Sequence, residues 1–233
     1  MPERMDQDRI KRLAAEAALT KLPPEGIIGL GTGSTVRYFI EGVAELVRAG
    51  KNYVGVPTSE QSRKLASSAG IPLLDDDGPW DVLVCVDGAD EVSRELDLIK
   101  GGGGAHTREK IVNYASRSNV IVVDESKLSE KLGQRWAIPI EVLPFAHHET
   151  AHLIGAYGKA ELRLRQGQPF RTDSGNYVYD LAAGPIDVPR ELDVALKTIP
   201  GVVETGLFCG RADVVLVARG DRVEELTKSA GKS

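Results

Sequence analysis

The sequence predicts a doubly wound α/β layer, in which helices cover both faces of a parallel sheet, together with a smaller α+β unit. Three observations carry this. Short, fully apolar segments alternate with amphipathic helical segments over the first 130 or so residues. Glycine- or hydroxyl-rich stretches follow several of those apolar segments. After about residue 132 the texture changes to alternating apolar and polar positions punctuated by proline. Buried parallel strands read as continuous apolar runs, whereas half-exposed antiparallel strands alternate.

Taken in order, residues 8–20 form an amphipathic helix, with Ile10, Leu13, Ala14, Ala17 and Ala18 on one face and Pro23, Pro24 and Gly26 behind it. Ile27–Leu30 is a short strand running into glycines. From Ser34 a helix carries Val36, Phe39, Ile40, Val43, Leu46 and Val47 and stops at Gly50. Tyr53–Val56 is a second strand, and Thr58 with Gln61 reads as a capping box for a helix ending at Gly70. Val82–Val86 is a third strand; a helix follows the glycine run 101–104 through about Ser118, and Val120–Val123 is a fourth strand.

Beyond 132, a helix is expected from Ala146 to Ala156, and Glu161–Arg165 with Tyr177–Leu181 reads as a hairpin around the turn 172–176. Pro189 opens a helix with Leu192, Ala195, Leu196 and Ile199, and Val202–Phe208 is a further strand. Asp213–Ala218 is again apolar and is expected to rejoin the first sheet, and Ser229–Ser233 to fray. The expected boundaries are 1–131 with 206–233 for the larger unit and 132–205 for the smaller.

The 233 residues suffice for a sizeable core, and 42% hydrophobic and 27% charged residues are ordinary for a globular chain. A net charge of −5 argues against a general nucleic-acid or membrane-surface binder, which carries a basic excess. Neither Cys85 nor Cys209 belongs to a CxxC pair, so no disulfide framework or thiolate zinc site is indicated. Met1–Arg12 is charged and lacks the apolar centre of a signal peptide, and no apolar run approaches ~18 residues; the cytoplasm is the expected compartment.

In a doubly wound sheet, ligands bind beyond the carboxyl ends of the strands. Four constellations fall there. Gly29-Leu30-Gly31-Thr32-Gly33-Ser34-Thr35 lies between a strand and a helix, where exposed N–H groups suit an anion. A dinucleotide fingerprint would need glycine at Ser34 and a carboxylate at the end of the second strand; a Walker A loop would need a lysine. Neither condition is met, and a monophosphate cradle fits best, with a plain glycine turn as the bland alternative. Asp87-Gly88-Ala89-Asp90-Glu91 sets three carboxylates at a strand end, either as a solvated turn or as groups that bind hydroxyls and shuttle protons.

In Lys100-Gly101-Gly102-Gly103-Gly104 four glycines are costly to order, and Lys100 can neutralise an oxyanion. Glu109 falls in the first turn of the next helix, where it serves either the helix dipole or a reaction as general base; the residues alone leave both open. Lys127 follows the fourth strand and can reach a phosphate.

A fifth motif competes. His148-Glu149-Thr150-Ala151-His152 matches H-E-x-x-H, and Gly155 extends the match. The third histidine position is Gly158, and the only methionines are Met1 and Met5, which leaves no Met-turn. Chance spacing on a polar helix face is the preferred reading, and no metal is assigned. His106 and His147 carry no signal of their own.

The ordered set of blocks resembles the A-type ribose-5-phosphate isomerase family. The blocks are Gly31–Thr35, Pro57–Ser59, Asp87–Asp90, Lys100–Lys110, Asp124–Lys127, Pro139–Val142, Thr172–Asn176 and Ile199–Val203, and they span nearly the whole chain. The resemblance implies a Rossmann-like catalytic domain, with a smaller ferredoxin-like α+β domain inserted before its last strand and lying at the oligomer interface. It implies interconversion of ribose 5-phosphate and ribulose 5-phosphate through an enediolate, with no cofactor and no metal. It implies Glu109 as base, Asp87 and Lys100 assisting ring opening and charge on oxygen, and Asp90 holding hydroxyls. Thr32, Gly33, Ser34, Thr35, Gly88, Ala89, Gly101, Gly102, Gly103 and Lys127 would bind the substrate, helped by Lys11, whose flanks match loosely. No departure falls on a catalytic position. A homodimer or homotetramer acting on a small sugar phosphate is expected, with neither nucleic acid nor membrane as partner.

Three rival readings compete with it. A non-catalytic sugar-phosphate sensor would have no need of Glu109, Asp87 and Lys100 as a set. A zinc metalloprotease leaves the glycine blocks unexplained. Acyl-transfer or deaminase chemistry on the same fold is a nearer rival.

Overall fold

In a computed structural model, the described residues, 2–228, form two compact units. One comprises residues up to Gly88, Arg108–Lys127 and the segment from Arg211; the other comprises Ala89–Thr107 and Leu128–Gly210. The sequence expectation divided the chain at 131/132 and 205/206, so the segment 89–107 groups with the smaller unit instead of the larger. Its strands, too short to signal themselves in sequence, pair only within that unit: Glu91–Val92 with Leu98–Ile99, and Leu98–Ile99 with Leu207–Phe208.

The first unit is built on a six-stranded sheet. Its order is Arg222–Thr227, Val214–Arg219, Ser116–Asp124, Val82–Asp87, Gly26–Leu30 and Tyr53–Pro57. All neighbours are parallel except the Arg222–Thr227 edge, which pairs antiparallel with Val214–Arg219. That edge strand is polar and mostly exposed, which hides it from a search for apolar runs. The helices Pro2–Leu19 and Ser34–Arg48 close the core, with Ala14, Ala15, Ala18, Val36, Phe39, Ile40 and Val43 packed against Ile28, Leu30, Val84, Val86 and Val120. On the other side, Cys85 packs with Val56, Val82 and Val112, the small buried hydrophobe its setting predicts.

Two local expectations are corrected here. The helix after the glycine run ends at Ala115, not near Ser118, because Ser116 and Ser118 are already paired with Val82 and Val84 in the sheet. The cap of the helix Glu60–Ser68 is Ser59, extended at φ −157° and accepting from the Ser62 amide, not Thr58. Such a cap contributes about 1 kcal/mol.

The second unit contains a four-stranded antiparallel sheet ordered Val202–Thr205, Ile138–Val142, Tyr177–Ala182 and Lys159–Leu162. With helices His147–Ile154 and Pro189–Lys197 this gives the β-α-β-β-α-β succession of a ferredoxin-like unit. Its core gathers Ile138, Ile140, Val142, Ile154, Tyr179, Leu181, Leu196 and Leu207. The expected hairpin holds between Lys159–Leu162 and Tyr179–Ala182, whereas Leu164–Arg165 instead folds onto Gln168–Pro169. The strand expected at 202–208 splits at Gly206, and its halves join different sheets. A Cβ on Gly206 would stand 2.3 Å from the Lys100 carbonyl oxygen and 2.7 Å from Pro139 Cδ, so only glycine passes there. The fraying expected at 229–233 lies outside the described residues.

Candidate functional site

Within the first unit the parallel strands end together, at Leu30, Pro57, Asp87 and Asp124, so the segments after them share one edge of the sheet. Asp87 is the pivot of that edge. It is buried, and its Oδ1 accepts from the Thr32 amide at 3.0 Å and the Gly88 amide at 2.8 Å. A Cβ on Gly31 would stand 2.3 Å from Asp87 Oδ1 and 2.6 Å from its Cα, which is why the strand ends in glycine there.

The Thr32 hydroxyl is drawn into a hydroxyl cluster, 2.8 Å from both Thr58 Oγ1 and Ser59 Oγ and 3.3 Å from Ser62 Oγ, while Ser62 donates to the Gly31 carbonyl. This cluster braces the loop and accounts for the Pro57-Thr58-Ser59 block.

Gly33 follows at φ 124° and precedes the helix Ser34–Arg48, and no side chain caps that helix. Its first turn carries no acidic group, and Ser34 is exposed with Thr35 half-buried. An uncapped helix start presents backbone donors and the positive end of the dipole, the arrangement an anion wants. Lys127, in the short helical turn Glu125–Lys127, and Lys11, in the first helix, are both partly exposed and can add positive charge.

Glu109 is buried in the first turn of the helix His106–Ala115. Its neighbour Arg108 donates to Glu60 Oε1 at 2.9 Å. That hydrogen bond, more than the charges of Arg108, Arg63 and Lys64, holds the Glu60 carboxyl below the usual range against a smaller opposing effect of burial.

The second unit carries Ala89, Asp90, Lys100 and the glycines. Lys100 is buried with its ammonium 5.5 Å from the Phe208 ring centroid. Asp90 Oδ2 accepts from the Gly102 amide at 2.7 Å, so this carboxylate shapes the loop whatever else it binds.

Three of the four glycines are required by their surroundings. Gly101 has φ +104° and sits on the His106 ring, Gly102 sits against Asp90, and Gly104 has φ +81° and a Phe170 ring atom 2.2 Å from where its Cβ would stand. Gly103 has neither a positive φ nor any atom within 4 Å of that point.

The H-E-x-x-H residues lie on the helix His147–Ile154, with His148, Glu149 and His152 exposed. Among the described residues no group of three His, Cys, Asp or Glu side chains is arranged to hold a metal ion. The histidine that sequence reasoning passed over, His147, is the more engaged: its Nδ1 is 2.8 Å from the Tyr179 hydroxyl, and its ring lies 4.1 Å from that of His148 and 4.7 Å from that of Tyr177. Burial first, and the adjacent His148 second, hold its imidazole below the usual histidine range. A group whose folded pKa is depressed adds stability above its unfolded value, about 6.5, and that contribution is lost as pH falls through the folded value. Thermal stability is therefore expected to fall below about pH 6.5, and less so in His147→Asn. An identical decline in both proteins would show that His147 does not contribute.

The family model for ribose 5-phosphate isomerase A (phosphoriboisomerase A) matches residues 54–222. The chain belongs to that family. It is 46% identical to a ribose-5-phosphate isomerase A of Gloeobacter violaceus, over 97% of this chain and 99% of that protein. A ribose 5-phosphate isomerase A structure from Methanocaldococcus jannaschii superposes with a TM-score of 0.89 at 40% identity, covering 94% of this chain and 98% of that one. A further D-ribose-5-phosphate isomerase structure, in complex with phospho-erythronic acid, gives a TM-score of 0.90 at 41% identity, covering 94% and 97%. Membership agrees with the doubly wound sheet and the inserted antiparallel unit described above.

Motif reading gave Arg163 and Asp180 no role, and it marked Glu141 only as part of the block Pro139–Val142. Arg163 and Asp180 lie beside and in half-exposed strands, where charged residues usually face water.

Proposed function

We propose that the protein interconverts D-ribose 5-phosphate and D-ribulose 5-phosphate, an aldose–ketose isomerisation of the non-oxidative pentose phosphate pathway, without metal or cofactor. The observation that carries this reading is the match, over nearly their whole lengths, to relatives named for that activity.

In this reading Glu109 is the base. It takes the proton from C2 of the open-chain aldose and returns it to C1, while the O2 hydroxyl proton passes to O1, so a single carboxylate serves both carbons of the enediolate. Asp87 and Lys100 assist ring opening, and Lys100 stabilises negative charge as it develops on oxygen, a task worth roughly 3 kcal/mol for one good donor. Gly33, Ser34 and Thr35 at the uncapped helix start hold the phosphate with Lys127 and Lys11. Thr32, Gly88, Ala89, Asp90 and Gly101–Gly103 hold the sugar chain.

The single test is formation of ribulose 5-phosphate from ribose 5-phosphate after exhaustive EDTA treatment. Chelator-resistant turnover is expected. No turnover in the untreated protein would sink the isomerase reading, and activity removed by EDTA and restored by zinc would overturn its metal-free part and point to His148 and His152. Phospho-erythronic acid is expected to compete with substrate.

Gly103 supplies a finer check. Nothing in the described fold requires glycine there, so Gly103→Ala is expected to leave thermal stability unchanged or slightly raised. Its kcat/KM is expected to fall by about 10-fold or more, since a misplacement on the order of 1 Å costs up to about 10²-fold. Unimpaired kinetics would remove Gly103 from the substrate contacts. We also place the protein in the cytoplasm as a homodimer or homotetramer with the 132–205 segment at the interface, supported by exposed Leu143, Phe145 and Leu153 in that segment. A monomer in sedimentation would overturn this. No helix among the described residues is long and apolar enough to cross a membrane.

A further inference from the structure

We propose that Arg163, held by Asp180, is a positioning residue for the isomerisation, acting by fixing the peptide planes of the loop that follows Lys100. The proposal rests on the isomerase reading above.

Arg163 lies just past the strand Lys159–Leu162, and its main chain is tied on both sides, its amide donating to the Val178 carbonyl and its carbonyl accepting from the Phe170 amide, each at 2.8 Å. Its side chain is mostly buried. Nε donates to Asp180 Oδ2 at 2.9 Å and Nη2 to Asp180 Oδ1. This fork-to-fork pairing fixes the guanidinium plane. The remaining nitrogen, Nη1, donates to the Gly101 carbonyl at 2.8 Å and the Gly102 carbonyl at 3.1 Å.

Those two carbonyls belong to consecutive peptide units of the glycine run. In a trans peptide the C=O and N–H point in opposite directions. Drawing both carbonyls toward Arg163 therefore turns the amides of Gly102 and Gly103 to the opposite side. The Gly102 amide meets Asp90 Oδ2 there at 2.7 Å. The Gly103 amide is turned the same way, at the one glycine of the run that the fold does not itself require. Glycine loses more freedom on ordering than any other residue, so a four-glycine loop needs such external restraint to present its amides in one geometry. Phe170 beneath Gly104, with the Arg163 guanidinium carbon 5.8 Å from its ring centroid, closes the same support.

A lysine cannot substitute, because it offers a point charge in place of the planar fork that grips a carboxylate and two carbonyls at once.

The test compares wild type, Arg163→Met, Arg163→Lys and Asp180→Asn by steady-state kinetics per folded molecule and by amide hydrogen exchange across 100–105. Arg163→Met is expected to lose about 10–100-fold in kcat/KM, to exchange faster in the loop, and to retain the wild-type pH profile, because no titrating group of the reaction is removed. Arg163→Lys is expected to recover little, and Asp180→Asn to fall between. Addition of guanidinium to an Arg163→Ala variant is expected to restore part of the rate. Loop exchange accelerated with kcat/KM within about twofold of wild type would reduce Arg163 to a structural role and overturn the proposal, as would unchanged exchange. A wild type that makes no ribulose 5-phosphate overturns the isomerase reading itself, and with it the catalytic consequence claimed for Arg163; exchange then decides the loop-ordering step alone.

Discussion

Glu109→Gln is expected to lower kcat by about 10²–10⁴-fold, the range a positioned general base contributes, while KM changes little. The substitution keeps the size of the side chain and its place in the first turn of the helix His106–Ala115, but removes the group that can accept a proton. Glu109 is 4% exposed, so the carboxylate is withheld from water, which a solvated helix-start glutamate would not be. Of the two roles the residues leave open, dipole partner or base, only the second makes turnover depend on it. Measuring kcat and KM, with circular dichroism to verify folding, separates them. A variant that turns over within a factor of about ten of wild type would assign the base elsewhere, and a KM that rises in step with the loss of rate would make Glu109 a binding group.

The second large effect concerns folding. Glu141 lies in the strand Ile138–Val142 and is 1% exposed, yet it is fully engaged: Thr107 donates to Oε2 at 2.6 Å, and Thr172 and Asn176 donate to Oε1 at 2.9 and 2.7 Å. It ties the turn 172–176 and Thr107 to one strand. Glu141→Leu removes the acceptor of three donors. Each stranded donor costs about 1–3 kcal/mol, less where a hydroxyl can turn away, so a loss of roughly 3–5 kcal/mol is expected. Glu141→Gln keeps one acceptor oxygen and is expected to lose less. Urea unfolding of the three proteins measures this. A Glu141→Leu variant as stable as wild type would mean that the donors find other partners once the carboxylate is gone.

Glu141 also marks where sequence reading stops. The blocks Pro139–Val142 and Thr172–Asn176 stood out as matches without any role that spacing could supply. Thirty-one residues separate Glu141 from Thr172, and thirty-four separate it from Thr107. No local rule connects such positions, and a glutamate in an alternating strand reads as a solvent-facing residue. Arg163 and Asp180 were missed for the same reason, and so were the two-residue strands at 91–92 and 98–99, which have no length over which a period can register.

What the sequence determined by itself is whatever depends on neighbours along the chain. Apolar runs of four or five residues specified the parallel strands, 3.6-residue periodicity specified the helices Ser34–Arg48 and Pro189–Lys197, and glycines placed the turns at strand ends. It therefore also placed Asp87 and the helix start after Gly33 at the carboxyl ends of parallel strands, and Glu109 in the first turn of a helix. Only the tertiary structure decided which polar side chains serve the loops. Thr32 spends its hydroxyl on Thr58 and Ser59, Asp90 spends an oxygen on Gly102, and Gly206 parts one predicted strand between two sheets. The physical reason is that a buried hydrogen bond is set by distance in space, and the cost of leaving a donor or acceptor unpaired is paid wherever the fold brings the groups together, however far apart they lie in sequence.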